Sequence, residues 1–238
     1  MLLTRGNPKI LKGQKQGYLT SILHLAPADL SGYQTCPKAT AGCKAACLNT
    51  AGRGGIFKKG ESTNIIQQAR IRKTRAFFEN RSAFMAELAH EIQNTIIYAE
   101  KRGLIPVFRL NGTSDIAWEK IRIADYRNIF EMFPTVQFYD YTKVAGRTVP
   151  ANYHLTFSAA DGNDADVVKA IDRGYNVAVV FADKKLPDQY NGLTVFNGDD
   201  SDLRFLDPLK SIIGLYAKGK ARKDSTGFVK RIIPIATV

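Results

Sequence analysis

All three cysteines of the chain, Cys36, Cys43 and Cys47, lie in one short segment, Thr35-Cys36-Pro37-Lys38-Ala39-Thr40-Ala41-Gly42-Cys43-Lys44-Ala45-Ala46-Cys47. Three thiols at C-x6-C-x3-C spacing, in a loop of small residues, are able to fold around one metal centre. Structural zinc prefers four ligands with closely spaced pairs. The wide first gap suits it poorly, and the fourth ligand would have to be His24, His90 or His154. An iron–sulfur cluster is the better match, because thiolates are its natural ligands. Three cysteines on a 4Fe–4S cluster leave one iron open to an exogenous ligand. No motif sets a histidine beside a cysteine, so a Cys–His nucleophilic pair is not expected. A Lys-containing loop is also a poor place for inert core cysteines. The sequence thus nominates Cys36, Cys43 and Cys47 as metal ligands, with zinc as the weaker alternative.

The elements that must position this loop alternate between strand and helix patterns. Strand signals occur at 17–25, 105–110, 135–139, 153–158, 176–181, 193–196 and 211–216, with an eighth at 228–235. Residues 61–102 read as two helices. Ile65, Ile66, Ala69, Phe77 and Phe78 form one apolar stripe, and Phe84, Leu88, Ile92 and Ile96 form another, with Asn80 or Ser82 capping between them and Gly103 as the stop. Residues 115–133 and 164–173 are also expected to be helical. The second of these has Asn163 or Asp164 as cap, Val167, Val168 and Ile171 as its face and Gly174 as its end. Strand, helix, strand in this order implies parallel pairing. Other late connections are too short for a full crossover helix. The expectation is a single α/β domain over 1–238, a degenerate or partial (β/α) TIM-type barrel with some connecting helices missing. The cysteine-containing cluster loop spans 26–60, and an open parallel sheet is the alternative.

Most expected strands run into a polar cluster. These are Asn111-Gly112-Thr113-Ser114-Asp115, Asp140-Tyr141-Thr142-Lys143, Ser158-Ala159-Ala160-Asp161, Ala182-Asp183-Lys184, Asn197-Gly198-Asp199-Asp200 and Ala217-Lys218-Gly219-Lys220. In a parallel barrel or an open parallel sheet these ends share the side where ligands bind. Any one cluster is explained by the polarity of loops, whereas six favour a common site. Asp115, Asp140, Lys143 and Asp161 are therefore nominated as mouth residues. Lys218, with the basic run to Lys223, is nominated to meet an anionic substrate or cofactor.

A three-cysteine loop after the first strand of a β/α barrel resembles the radical S-adenosylmethionine enzymes. The resemblance implies a 4Fe–4S cluster on Cys36, Cys43 and Cys47, and S-adenosyl-L-methionine bound at the open iron. It assigns the glycine-rich contact to the methionine amine to Asn111, Gly112 and Thr113, and ribose contacts to Ser158 or Asp161 and Asp183. The usual C-x3-C-x2-C spacing of that family is replaced here by x6 and x3, and no Gly-Gly-Glu follows the second strand. Cys-Pro-x-Ala-Thr-x-Gly-Cys and Asn-Gly-Thr-Ser-Asp also resemble segments of virus- and phage-encoded proteins that carry such a loop.

The chain has 238 residues and a formal net charge of +12, with 45% hydrophobic and 24% charged residues. This composition excludes wholesale disorder, and no apolar run is long enough to span a membrane. A cytoplasmic location is expected from the lack of an apolar leader. The charge admits nucleic acid as a partner, and a redox-active cluster would also need an electron donor. The run Arg70, Arg72, Lys73, Arg75 and Arg81 reads equally well as a phosphate-contacting or a solvated helix face. Gly52-Arg53-Gly54-Gly55 reads as a flexible turn ahead of an anion nest. Trp118, Tyr139 and Tyr141 are candidate base-stacking aromatics, while Phe138 reads as core. Three function classes follow: a cluster enzyme with radical chemistry, an electron-transfer or structural cluster protein, and a zinc-stabilised nucleic-acid-binding protein.

Overall fold

The computed structural model describes residues 1–6 and 8–232. The chain runs β1 (Leu3–Thr4), α1 (Pro8–Gln14), β2 (Tyr18–Leu23), α2 (Ala41–Ala45), α3 (Ile65–Glu79), α4 (Arg81–Glu100), β3 (Ile105–Arg109), α5 (Ile129–Met132), β4 (Gln137–Thr142), β5 (Tyr153–Ser158), α6 (Asp164–Asp172), β6 (Val177–Phe181), β7 (Gln189–Tyr190), β8 (Leu193–Asn197), β9 (Ile212–Tyr216) and β10 (Val229–Lys230). The result is a mixed α/β structure around a ten-stranded sheet in the order β1-β2-β3-β4-β5-β6-β9-β8-β7, with β10 on β6. Pairing is parallel from β2 to β8 along this path, and antiparallel only at the two edges, β1 on β2 and β7 on β8. The path is open, since no ladder joins β1 to β7 among the described residues.

Parallel strands put their C-termini on one side, so the polar clusters do share an edge. At that edge β5 pairs only with Val177 and Ala178 of β6, and β10 takes over opposite Val180 and Phe181. The tail of the chain thereby fills the gap left where β5 ends. The expected strand at 228–235 is thus β10, and residues 233–235 lie outside the described residues.

One sheet face is covered by α3 and α4. Asn64 caps α3 by accepting from the amides of Ile66 and Gln67, and the helix stops at Asn80, where α4 begins. Leu88 and Ile92 of α4 are fully buried with Phe108, Leu110, Phe138 and Leu155 of the sheet region. Aromatic rings extend this core, with Phe130 stacked on Tyr153 at 4.1 Å and edge-on to Phe138 at 4.9 Å. On the opposite face Val107, Tyr139 and Leu203 pack together, and Arg109 pairs with Asp202 at 2.8 Å.

The expected helix over 115–133 is not formed. It reduces to a 3-10 turn, Trp118–Lys120, and the single turn of α5. The Asn111 side chain holds Ser114, Ile116 and Trp118 in a tight loop, and Ala124 adopts φ +46, both incompatible with a continuous helix. Elsewhere α6 follows the expected bounds, and the connection from β4 to β5 carries no helix.

Removing a fully buried aliphatic group from α4 costs transfer free energy and leaves a cavity. Ile92→Ala should therefore lose about 2–5 kcal/mol in denaturant unfolding. Ile97→Ala, on the half-exposed face of the same helix, should change stability by less than about 0.5 kcal/mol.

Candidate functional site

The cysteine loop is built from short pieces that cannot stand alone, so its geometry depends on what ties it to the sheet. Thr35 is the first tie: its hydroxyl donates to the Ala26 carbonyl at 2.6 Å, and its carbonyl accepts the Asp115 amide at 2.8 Å. Cys36 follows directly, its sulfur accepting the Ala28 amide at 3.3 Å and lying 3.8 Å from the Thr113 carbonyl. The five residues of α2 carry Cys43. Thr40 caps them by accepting the Cys43 amide at 3.1 Å and itself donates to Asp161. Asp161 also accepts the Gly42 amide at 3.1 Å. A side chain at residue 42 would collide with Thr226 and Asp161, so glycine is required for this approach. Cys47 caps the 3-10 turn Leu48–Thr50, its sulfur accepting the Asn49 amide at 3.5 Å.

Helix α3 clamps the far side of the loop. Arg70 donates to the Asn49 side chain at 2.6 Å, and Gln67 donates to the Gly54 carbonyl at 2.8 Å. Asn64 donates to the carbonyls of Arg53 and Ile56. Gly52–Gly55 forms a 3-10 turn, in which Gly54 and Gly55 press on the carbonyls of Asn49 and Thr50. Arg70 thus faces the loop, whereas Arg72 and Arg75 are exposed.

All three cysteines are free thiols and partly buried. Burial pushes the Cys47 thiol up to about 11, and its neighbours Cys43 and Cys36 push the same way, against Asn49 and Lys143. Burial also raises Cys36, with Asp115 and Cys43 adding to the shift. The charges of Cys36 and Cys43 both act on Cys47. Among the described residues, however, no three Cys, His, Asp or Glu side chains are grouped to hold a metal ion.

Several nominated residues are bound into the architecture. Asn111 is buried; its oxygen accepts from Ser114, Ile116 and Trp118, and its amide group donates to the Ile116 carbonyl. Gly112 leaves no room for a side chain, because a Cβ would lie 2.7 Å from His24. Thr113 donates to the Leu25 carbonyl at 2.5 Å. Asp115 accepts the Lys143 amide at 2.8 Å and pairs with Arg147 at 3.3 Å. Asp140 is fully buried, accepting the amides of Leu110 and Asn111 and the Tyr153 hydroxyl. Burial raises it to about 7, although Arg109 and these donors oppose the shift. Asp161 anchors α2. Lys143 is half-buried, influences Cys47 and lies 5.8 Å from the Phe228 ring. The Ser158 carbonyl accepts from Asn163, Asp183 is exposed, and Lys218 pairs with Asp199. Trp118 and Tyr139 are fully buried in packing roles.

With this geometry in view, a family model described as Gene product 88 matches residues 1–232. The chain belongs to the Gene product 88 family. That assignment accords with the resemblance to phage-encoded proteins. No curated protein and no solved structure matches the chain. Among the described residues of this Gene product 88 chain, no helix is long and apolar enough to cross a membrane.

Sequence reasoning missed Thr40, Asn49 and Arg147 as parts of this region, and named His24 only as a possible zinc ligand. The spacing of Thr40 before Cys43 is that of a capping residue and its N3 position, a local signal that was available. The others are brought in by long-range packing. His24, at the end of β2, is driven down to about 3 by burial, then by Arg70, Arg109 and Lys73, against Asp202. Unfolded, it takes up a proton near 6.5. Between pH 3 and 6.5 the unfolded chain therefore binds more protons, and this contribution to stability is lost as pH falls. Equilibrium unfolding across that range should show an acid limb that flattens in His24→Gln; an unchanged limb would mean the imidazole is not held neutral.

Proposed function

We propose that this Gene product 88 chain is an iron–sulfur protein, with Cys36, Cys43 and Cys47 ligating a 4Fe–4S cluster at the C-terminal edge of a sheet that we read as a partial β/α barrel. The observation that carries this reading is the placement of three free, partly buried cysteines in one loop, with amide donors on two of the sulfurs. The donor set suits a cluster more than a single ion. Thiolates are the natural ligands of iron–sulfur clusters, and the wide first gap of the C-x6-C-x3-C spacing suits structural zinc poorly. In a cluster each thiolate binds its own iron.

A bound cluster supplies one-electron transfer. The amides of Ala28 and Asn49 would then stabilise negative charge on the sulfurs of Cys36 and Cys47, and the Lys143 ammonium would add to it at Cys47. The partial burial of the loop limits water at the sulfurs. S-adenosyl-L-methionine as co-reactant is the finer reading, carried by the resemblance. Among the described residues, the Lys143 ammonium, the Ser158 hydroxyl and the Asp183 carboxylate have no hydrogen bond to protein and remain for such a ligand. The electron-transfer or structural cluster protein is the second reading, favoured by the commitment of Asn111, Asp115, Asp140 and Asp161 to the fold.

Anaerobic reconstitution should give a brown protein with about four irons per chain. Cys43→Ala should lose this iron while His90→Ala keeps it. Iron retained by folded Cys43→Ala, or a colourless wild type with stoichiometric zinc, would overturn the assignment. Given a cluster, S-adenosyl-L-methionine should perturb the paramagnetic resonance of its reduced form if radical chemistry is present. An unperturbed signal leaves the electron-transfer reading.

A further inference from the structure

A second concave site lies on the same sheet edge, and no cysteine lines it. It is a cavity of about 360 Å³ lined by Lys12, Lys184, Leu186, Asn197, Asp199, Tyr216 and Lys218. Its walls come from distant parts of the chain: α1 supplies Lys12, the segment after β6 supplies Lys184 and Leu186, and the ends of β8 and β9 supply the rest. Pockets for small ligands begin at about this size, and combine an apolar wall with a few placed polar groups.

The charge is unbalanced. Three lysines face one carboxylate, Asp199, which pairs with Lys218 and also accepts the Tyr216 amide at 2.9 Å. Lys12 donates to the Asp199 backbone carbonyl at 2.8 Å, so its hydrogen bond is to a neutral group. Lys184 lies 5.9 Å from the Tyr216 ring, and Arg222 lies 5.5 Å from it. Two ammonium groups thus border the cavity without a carboxylate of their own among the described residues. The half-buried Tyr216 and Leu186 also line the cavity.

We propose that this cavity binds a small phosphomonoester carried on a planar ring, a mononucleotide in class, with Lys12 and Lys184 on the phosphate and the ring against Tyr216. Lysine is a point-charge phosphate binder, and an aromatic face accepts any base. The site does not use the cysteines, so it stands or falls apart from the cluster.

Calorimetric titration of the full chain with AMP, inorganic phosphate and adenosine tests the proposal. AMP should bind at one site, more tightly than phosphate, and adenosine should not bind measurably. Lys184→Ala and Lys12→Ala replace exposed side chains and should each weaken AMP about tenfold, as expected for a lost charge-assisted contact. Lys185→Ala, outside the lining, should leave affinity unchanged. Absent binding of AMP, equal affinity for phosphate and AMP, or insensitivity to both lysine variants would overturn it.

Discussion

The carboxylate of Asp161 accepts from the Thr40 hydroxyl and the Gly42 amide, and through them fixes the turn that carries Cys43. A five-residue helix has almost no stability of its own, because nucleation fixes several dihedrals for the return of a single hydrogen bond. What holds α2 is therefore tertiary: an acceptor at the end of β5 meets amides that a helix N-terminus leaves unpaired. Thr35 and Asp115 fasten Cys36 in the same manner, through a backbone bond between the loop and the end of β3. Arg70 and Asn49 fasten the third turn. Three short segments with little internal cohesion thus acquire one arrangement because each is bolted to a different strand end or helix.

This construction explains why so many polar residues at the strand ends are occupied. Long crossover helices would normally satisfy the backbone beyond each strand, and several connections here lack them. Buried amides and carbonyls still require partners, so side chains supply them. Asn111 organises the loop after β3 through three accepted bonds, and Asp140 takes the amides of Leu110 and Asn111. Asp115 and Glu119 both hold Arg147, which is almost fully buried. An arginine in that position needs its carboxylates to remain charged at tolerable cost. The polar clusters at the mouth therefore serve the fold before they serve any ligand.

Period and punctuation made much of the fold legible in the sequence. The strand at Tyr153–Ser158 and the helix ending before Gly174 follow directly from alternation and from a glycine at φ +83. The break between α3 and α4 at Asn80 was visible in the sequence, but the first stripe is not the buried face of α3: Ile65 is exposed, and Gln67 and Thr74 are buried with Phe77. Residues 115–133 misled because Ile116, Ile121, Ile123, Ile129 and Phe130 scatter apolar residues through a segment with no proline before Pro134. Their burial instead reflects packing around the Asn111 hub, a constraint that periodicity does not encode. The two-residue edge strands β1 and β7 carry too few residues to show any pattern. At the site, residue types nominated the cysteines, but the partners that orient them come from Asp161, Asn49 and Arg70, whose roles depend on sequence separations that local reading does not connect.

The electrostatics of the loop bear on how it could be loaded. Burial raises the Cys36 and Cys47 thiols, and Cys43 adds to both shifts, so metal must displace protons to bind. Thiolates brought together without metal would repel one another in a half-buried setting, which is why each raises its neighbour. Iron bound as proposed would reverse that balance by neutralising the charge that burial penalises. Arg70 and Lys143 lie on the Cys47 side of the loop, and their positive charge lowers the cost of residual negative charge there. In the proposed reading, the fold that disfavours bare thiolates would gain from a ligated set, and this difference would couple loop order to metal occupancy.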